Sequence, residues 1–406
     1  MKILYFGTVC NLNAYNKRME RYSRKLSVAP IVFENALLEG LNQNLAEVEI
    51  HSFPMIETFP LSRELFFGGN IEALPCGYFC RWIRTVNLPF LKQFSRNLDA
   101  RIMMKRWLKK NKEDGIVFTY SIPPFLVKSV LRYSKKYNVK AVAIIPDLLR
   151  DMYINEKAGS VFTKLKNRYL SQALKLQGEY DGYVYLTQAM KDVVAPEKPY
   201  IVMEGVADIS SAEEPDITEK ASPHAIMYAG MIHEKYGIIN LLDAFEQLKN
   251  KDIELWLFGD GTAVPKVLKR SKQNPKIRYF GTVPREEILR FERKATLLVN
   301  PRNTEELFTQ YSFPSKTIEY MLSGTPLVTT KLSGIPDEYF NYVFAAESNE
   351  PTVLADILNK ALANTQNELI DFGNRAQLFV KEQKNSCKQA ARILEFFKEV
   401  KYELKV

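Results

Sequence analysis

Short apolar runs alternate with helical patterns along almost the whole chain, and no other feature restricts the fold as much. KILYF (2–6) reads as a strand and PIVFENALLEGLNQN (30–44) as a helix. IVFTY (116–120) is a strand, PPFLVKSVLRYSKKYN (123–138) a helix opening on proline, and VKAVAIIP (139–146) a buried strand running into Asp147. GYVYLT (182–187) and PYIVME (199–204) are two more strands. The pattern then repeats: AIMYAG, IELWLFGDG, KIRYFG, TLLVNPR and TPLVTT are strands separated by helical segments. Strands that are apolar on both faces and joined through helices predict parallel sheets covered on both sides. Residues 207–223 are polar, acidic and without periodicity, the composition of a linker or boundary loop. The chain therefore reads as α/β, two doubly wound halves in series, 1–205 and 206–385, followed by one amphipathic helix at 386–406. Ligands of such sheets sit at the carboxyl ends of the strands, which points to a cleft between the halves.

With 406 residues, two domains are the natural division. No segment approaches the roughly 18 continuous apolar residues of a membrane span. MKILYFGTVC is too short and too broken for a signal peptide and reads better as a strand. The four cysteines suit buried thiols in a reducing cytoplasm, and Cys76 and Cys80 have no second pair with which to hold zinc. His51, His224 and His233 are scattered, and the chain has no Asp-x-Asp pair, so no metal is expected.

Charge is unevenly placed. Residues 1–200 hold 30 Lys and Arg against 18 Asp and Glu, and residues 201–406 hold 26 against 29. The densest run is 92–112, with eight basic residues and one acid, Asp99. Leu91, Phe94, Leu98 and Ile102 recur there at helical spacing, which predicts an amphipathic helix with a cationic face. Phe66, Phe67, Tyr78, Phe79, Trp82 and Phe90 lie just upstream. Basic residues beside exposed aromatics suit an anionic membrane surface; a solvated charged face over a core stripe is the plainer alternative. No motif favours nucleic acid.

The segment 300–339 carries the strongest chemistry. Tyr311 and Ser312 precede a predicted helix with Pro314 near its first turn, and free N–H groups at such a start attract anions. Ser315 and Lys316 would add donors, and Glu319, one turn on, would accept the two hydroxyls of a ribose. An ordinary surface helix capped by Ser312 and closed by Gly324 has the same spacing. Lys235 lies in a loop between Gly230 at a strand end and Gly237 at a helix start, within reach of a phosphate or simply solvated. LFGDG (257–261) is weaker, because Gly259 and Gly261 lack the third glycine of a dinucleotide fingerprint. His233 reads as a solvated side chain in the same loop.

Taken together, Gly230–Phe245, Leu257–Gly261, Tyr279–Val283 and above all Ser312–Gly334 resemble a GT-B glycosyltransferase of glycosyltransferase family 4. MKILYFGTV, IIPDLLRDMY and DGYVYLTQAMKDVV are more loosely similar to the acceptor-side domain of bacterial polysaccharide enzymes. The resemblance implies two Rossmann-like domains, a C-terminal helix crossing back to the first, and a nucleotide-sugar donor held mainly by the second. Donor contacts are expected at Gly7, Gly230, Lys235, Gly259, Val283, Tyr311, Ser312, Phe313, Ser315, Lys316 and Glu319, with Lys235 and Arg302 in the chemistry; Asp147, at a strand end, is the acceptor-side candidate or simply a helix N-cap, and Asp151 is next. The second glutamate of the family's paired signature falls on Glu319, the first on Tyr311; of its Arg-Lys phosphate pair the lysine is Lys235 and the arginine position holds Met231. Arg302 and Lys316 are the cations available to compensate.

The expected activity is sugar transfer from a nucleoside-diphosphate sugar, a co-substrate rather than a cofactor, with retention and without metal. The expected acceptor is a glycan or polyprenyl-linked oligosaccharide at the inner face of the cell membrane. A non-catalytic partner subunit, or a nucleotide-sugar epimerase on the same architecture, are the competing readings.

Overall fold

The computed structural model describes residues 1–19, 29–89, 91–149, 161–207, 209, 220 and 224–402. The chain divides into two units. Met1–Val206 and Ser386–Val406 form the first, and Ala207–Asn385 the second.

The first unit is built on an eight-stranded sheet in the order β10-β9-β8-β7-β1-β2-β5-β4. Its strands are β1 (Lys2–Gly7), β2 (Glu47–Ser52), β4 (Ile71–Ala73), β5 (Phe79–Trp82), β7 (Gly115–Tyr120), β8 (Lys140–Ile145), β9 (Gly182–Tyr185) and β10 (Tyr200–Val202). All pairings are parallel except β4 with β5. A separate two-stranded piece joins β3 (Phe66–Phe67) to β6 (Thr85–Val86). The apolar runs 2–6 and 116–120 become the central strands, since β1 and β7 are buried along nearly their whole length. Helices Ala29–Gln43 and Ser386–Tyr402 pack on each other and on this sheet. Phe396, Phe397 and Val400 enter the same core as Ile3 and Phe118, with the Phe118 and Phe397 rings 4.8 Å apart. The C-terminal helix is thus part of the first unit.

The second unit has a six-stranded, wholly parallel sheet in the order β13-β12-β11-β14-β15-β16. Its strands are β11 (His224–Ala229), β12 (Ile253–Phe258), β13 (Ile277–Gly281), β14 (Leu297–Asn300), β15 (Leu327–Thr330) and β16 (Phe344–Ala346). Apolar clusters cover both faces, as doubly wound sheets require. In each unit the first strand is central, and the winding reverses beside it: between β1 and β7 in one, between β11 and β14 in the other. These reversals are where such folds place ligands.

Three expectations change here. The strand Glu47–Ser52 carries no continuous apolar run; Glu47 and Glu49 face water while Ile50–Ser52 are buried, so the sequence alone does not announce it. The helix predicted around Pro314 and closed by Gly324 is only Lys316–Leu322, because Phe313 and Pro314 lie outside it and the Pro314 carbonyl takes a turn-type bond from the Thr317 N–H at 2.8 Å. The third concerns helix Leu91–Lys110. Its apolar residues Leu91, Phe94, Leu98 and Ile102 are exposed, while Lys92, Arg96 and Asp99 are buried. The line through those four residues therefore faces outward, while a core stripe of Ala100, Met104, Trp107 and Leu108 does run beneath the exposed Lys105, Arg106, Lys109 and Lys110. The reason lies in the segment beneath the helix. Lys92 donates to the Ile56 carbonyl and to Thr58 Oγ1 at 3.2 Å, Arg96 donates to the Pro54 carbonyl at 3.1 Å, and Asp99 accepts from the Arg84 N–H at 2.9 Å. Carbonyls without strand partners need donors, and these long cations supply them. Burial lowers the Lys92 pKa to about 7.

Of the upstream aromatics, Phe66 and Phe79 are exposed, Phe67 and Tyr78 are half-buried, and Trp82 is buried; Phe90 lies outside the described residues. No helix among the described residues is long and apolar enough to cross a membrane. The segment 207–223 lies largely outside the described residues. Lys220 is described, and its ammonium donates to the carbonyls of Arg293 and Ala295 and to Thr325 Oγ1.

Candidate functional site

The reversal point of the second unit brings together loops that are far apart in the chain. Gly230 ends β11, and its N–H donates to the Phe258 carbonyl at 3.0 Å. A Cβ at Gly259 would collide with the Gly230 carbonyl, and Gly259 has φ +123°, so the two strand ends approach more closely than side chains permit. Gly237 plays the same part on the other side, where a Cβ would strike the Pro301 carbonyl after β14.

Between these contacts lies a short 3-10 turn, Glu234–Tyr236. His233 caps it, its Nδ1 accepting from the Lys235 N–H at 3.3 Å; it is half-buried structure rather than a solvated side chain. The Tyr236 ring then serves two cations. Lys235 Nζ and Arg302 Cζ each stand 5.1 Å from its centroid, and Lys235 is also 5.7 Å from the Phe308 ring. Burial pulls the Arg302 pKa below its usual value. Among the described residues neither cation has an acidic partner. Two positive charges gathered on one ring, one of them largely desolvated, can attract an anion.

Helix Lys316–Leu322 is fixed to the same strand end. Tyr320 Oη accepts from the Ala229 N–H at 2.8 Å and donates to the Ala229 carbonyl at 3.0 Å. On the same helix Glu319 and Lys316 are ion-paired. Lys316 Nζ also lies 3.8 Å from Glu292 Oε1, on helix Arg285–Lys294. Glu292 is fully buried, and neither of its carboxylate oxygens has a hydrogen-bond donor. Burial, then the neighbouring Glu319, push its pKa well above the usual carboxylate range. Burial would raise Glu319 too, but Lys316 and a proton held by Glu292 keep it below that range. The pair is thus pushed apart, Glu292 toward the neutral acid and Glu319 toward the ionised form.

Several expected roles move. Lys316 belongs with Glu319 and Glu292 rather than with the Lys235–Arg302 cation pair. The helix after Pro314 has seven residues and no side-chain cap; Ser312 lies in extended backbone, and Ser315, at the cap position, makes no capping bond. So short a helix has little dipole of its own. Phe313 is buried against Tyr339, ring centroids 5.5 Å apart, which leaves only its main chain free to meet a ligand. Val283 packs into the apolar cluster with Phe280 and Phe291. Tyr311 is half-buried at the end of a 3-10 turn, and Met231 is exposed.

Gly7 and Asp147 belong to the first unit. A Cβ at Gly7 would collide with the Glu34 carboxylate. Glu34 accepts from Tyr5 Oη at 2.8 Å, from the Thr8 N–H at 2.9 Å and from the Thr8 hydroxyl. Gly7 is accounted for by that packing. Asp147 follows β8, exposed, and its charge is felt by the buried Tyr120 hydroxyl at the end of β7. Asp151 lies outside the described residues. An open depression of about 800 Å³ lined by Phe344, Glu368 and Arg375 sits at the start of β16, the wrong end of the sheet for a ligand of this topology.

Residues 223–364 match the family described as Glycosyl transferases group 1. That match lies within the second unit. The match takes in every site residue of that unit, from Gly230 to Glu319. Over 183 residues the chain is 28% identical to the lipopolysaccharide 1,2-N-acetylglucosaminetransferase of Salmonella typhimurium, covering 41% of this chain. It spans about half of that relative, 46%. Among solved structures, sucrose-phosphate synthase from Thermosynechococcus elongatus aligns over 99% of this chain and 100% of its own, with TM-score 0.66 and 13% identity. Anabaena Alr3699/HepE in complex with UDP aligns over 98% and 100%, with TM-score 0.61 and 15% identity. The lipopolysaccharide outer core galactosyltransferase WaaB, in apo form, aligns over 99% of each chain, with TM-score 0.58 and 13% identity. The chain thus has the GT-B fold, with the group 1 match in its second unit.

Sequence reasoning missed Tyr236, Tyr320 and Glu292. Tyr236 and Tyr320 directly follow Lys235 and Glu319 in sequence, so an aromatic neighbour was a usable signal. Glu292 had none: seven of the ten residues in REEILRFERK are charged, and the segment reads as a solvated face.

Proposed function

We propose that the chain is a glycosyltransferase that moves a sugar from a nucleoside-diphosphate sugar to a hydroxyl of a glycan or lipid-linked oligosaccharide in cell-surface polysaccharide synthesis. One observation carries the reading: Lys235 and Arg302, two cations without acidic partners among the described residues, meet on Tyr236 at the reversal point of the second unit. The relatives named above, one of them holding UDP, support a nucleotide-sugar donor.

In this reading Lys235 and Arg302 face the donor diphosphate, and the main chain from Tyr311 to Ser315 lines the same pocket. Glu319 accepts the ribose hydroxyls, held ionised by Lys316. As the bond from the anomeric carbon to the β-phosphate oxygen breaks, the leaving diphosphate gains negative charge. The two cations meet that charge without a metal. Preorganised donors of this kind contribute roughly 3–4 kcal/mol each to the transition state. Asp147, in the first unit, is the acceptor-side carboxylate, and the anomeric configuration is retained. The chain works at the cytoplasmic face of the cell membrane, as a peripheral protein.

Tyr311 and Met231, where the family has glutamate and arginine, favour one second reading, a non-catalytic partner subunit that still binds nucleotide. Calorimetric titration with nucleoside diphosphates and their sugars, followed by assay of donor hydrolysis and transfer, separates the two. Binding with turnover that survives chelation supports the enzyme. Binding with no hydrolysis supports the partner subunit, and no binding of any nucleotide rejects both.

A further inference from the structure

Ten of the nineteen exposed large hydrophobic side chains among the described residues fall between Phe59 and Ile102, all in the first unit. They do not lie at random. Leu91, Phe94, Leu98 and Ile102 form one line on the outer side of helix Leu91–Lys110, and Phe94 is 68% exposed. The neighbouring strands bring more. Val86 donates its N–H to Ser95 Oγ on the helix at 2.9 Å, and Val86 pairs with Phe66, which is 73% exposed. Arg81 reaches Asp99 of the helix at 3.3 Å. Ile71, directly opposite Arg81, and Phe79, two residues before it, share its face of the sheet, and both are exposed. Beyond Ile102 the outer side of the helix continues into exposed Lys105, Arg106, Lys109 and Lys110. The only acid on the helix, Asp99, is buried and paired with Arg81.

We propose that this surface, the outer face of helix Leu91–Lys110 with the adjoining strands β3–β5, docks the chain onto an anionic phospholipid membrane. An apolar line ending in a cluster of cations, with no exposed acid on the helix, complements an interface of acyl chains beneath negative headgroups. A second copy of the chain would bring the same cations against themselves. A nucleic acid would meet the cations but leave the apolar line uncovered. The orientation of the helix is what makes the surface: the cations that look most basic in sequence, Lys92 and Arg96, are used inside, and the apolar stripe is left outside.

This extends the membrane part of the proposed function, and it can fail independently of donor binding, which is measured on the same preparations. The full chain is floated with phosphatidylcholine vesicles with and without about a third phosphatidylglycerol, at low salt and at roughly 0.5 M salt. It should float with the anionic vesicles at low salt. Phe94→Asp with Leu98→Asp should weaken partition at least about tenfold, with circular dichroism and nucleotide binding unchanged. Lys105→Glu with Arg106→Glu and Lys109→Glu should lower binding to the level of neutral vesicles. A wild-type chain that stays soluble with anionic vesicles overturns the proposal. So does an aspartate variant that floats like wild type, or one whose only change is the dissociation of a dimer.

Discussion

The two units share a winding scheme, and each sets a carboxylate beside its reversal point, yet the two carboxylates are treated in opposite ways. In the first unit Glu34 fills the end of β1, and Tyr5 and Thr8 supply its donors. In the second unit Glu319 shares one lysine with Glu292, and among the described residues Lys235 and Arg302 have no acidic partner. A buried polar group whose partners are complete is part of the architecture. Cations gathered on one ring with no acid to meet them are suited to something that is not protein. The same topology thus makes a plug in one unit and a site in the other.

The sharpest way to break that contrast is to remove the unpaired cations. Lys235→Ala combined with Arg302→Ala should lower kcat by at least about a thousandfold, measured by transfer or donor hydrolysis, while Glu34→Gln leaves turnover within about threefold of wild type. Equal losses from both would erase the distinction. Next, Glu319→Ala should weaken nucleotide binding by about a hundredfold in calorimetry, the effect of losing a charged acceptor of two hydroxyls.

Glu34 has its own signature, in stability. Burial raises its pKa from 4.5 to about 7. The folded chain then keeps a proton that the unfolded chain has already released. The stabilisation is complete below pH 4.5 and is lost as pH rises through about 7, a change of roughly 3 kcal/mol. Glu34→Gln should flatten that slope in denaturant titrations across the range. A slope that persists in the variant would place the titration elsewhere.

The smallest expected effect belongs to Glu292. Near neutral pH Glu292→Gln should change nucleotide affinity by no more than about threefold, since the amide replaces a neutral acid. In the wild type, affinity should fall in alkaline solution as Glu292 ionises beside Glu319, and in the variant that fall should be absent. A variant with the same alkaline fall would separate Glu292 from the site.

The β/α alternation, the apolar central strands and the loops carrying Lys235, Arg302 and Glu319 are all legible in sequence, because local periodicity and glycine placement encode them. Strand β2 is not, since its polar half faces water and breaks the pattern. Within the site, the sequence offers the charged residues but not their grouping. That Lys235 joins Arg302 on Tyr236, while Lys316 joins Glu319 and Glu292, depends on which strand ends lie side by side. The winding order decides it, not the spacing.

Helix Leu91–Lys110 makes the same point most plainly. Its second half buries Ala100, Met104, Trp107 and Leu108 as periodicity predicts, but in its first half the sequence offers an apolar line and a charged line and nothing there says which is inside. The carbonyls of Pro54 and Ile56 decide it, because they have no strand partners and take their hydrogen bonds from Arg96 and Lys92. Hydrophobic pattern is a property of the chain by itself, but the demand for buried hydrogen-bond donors exists only once distant segments have met.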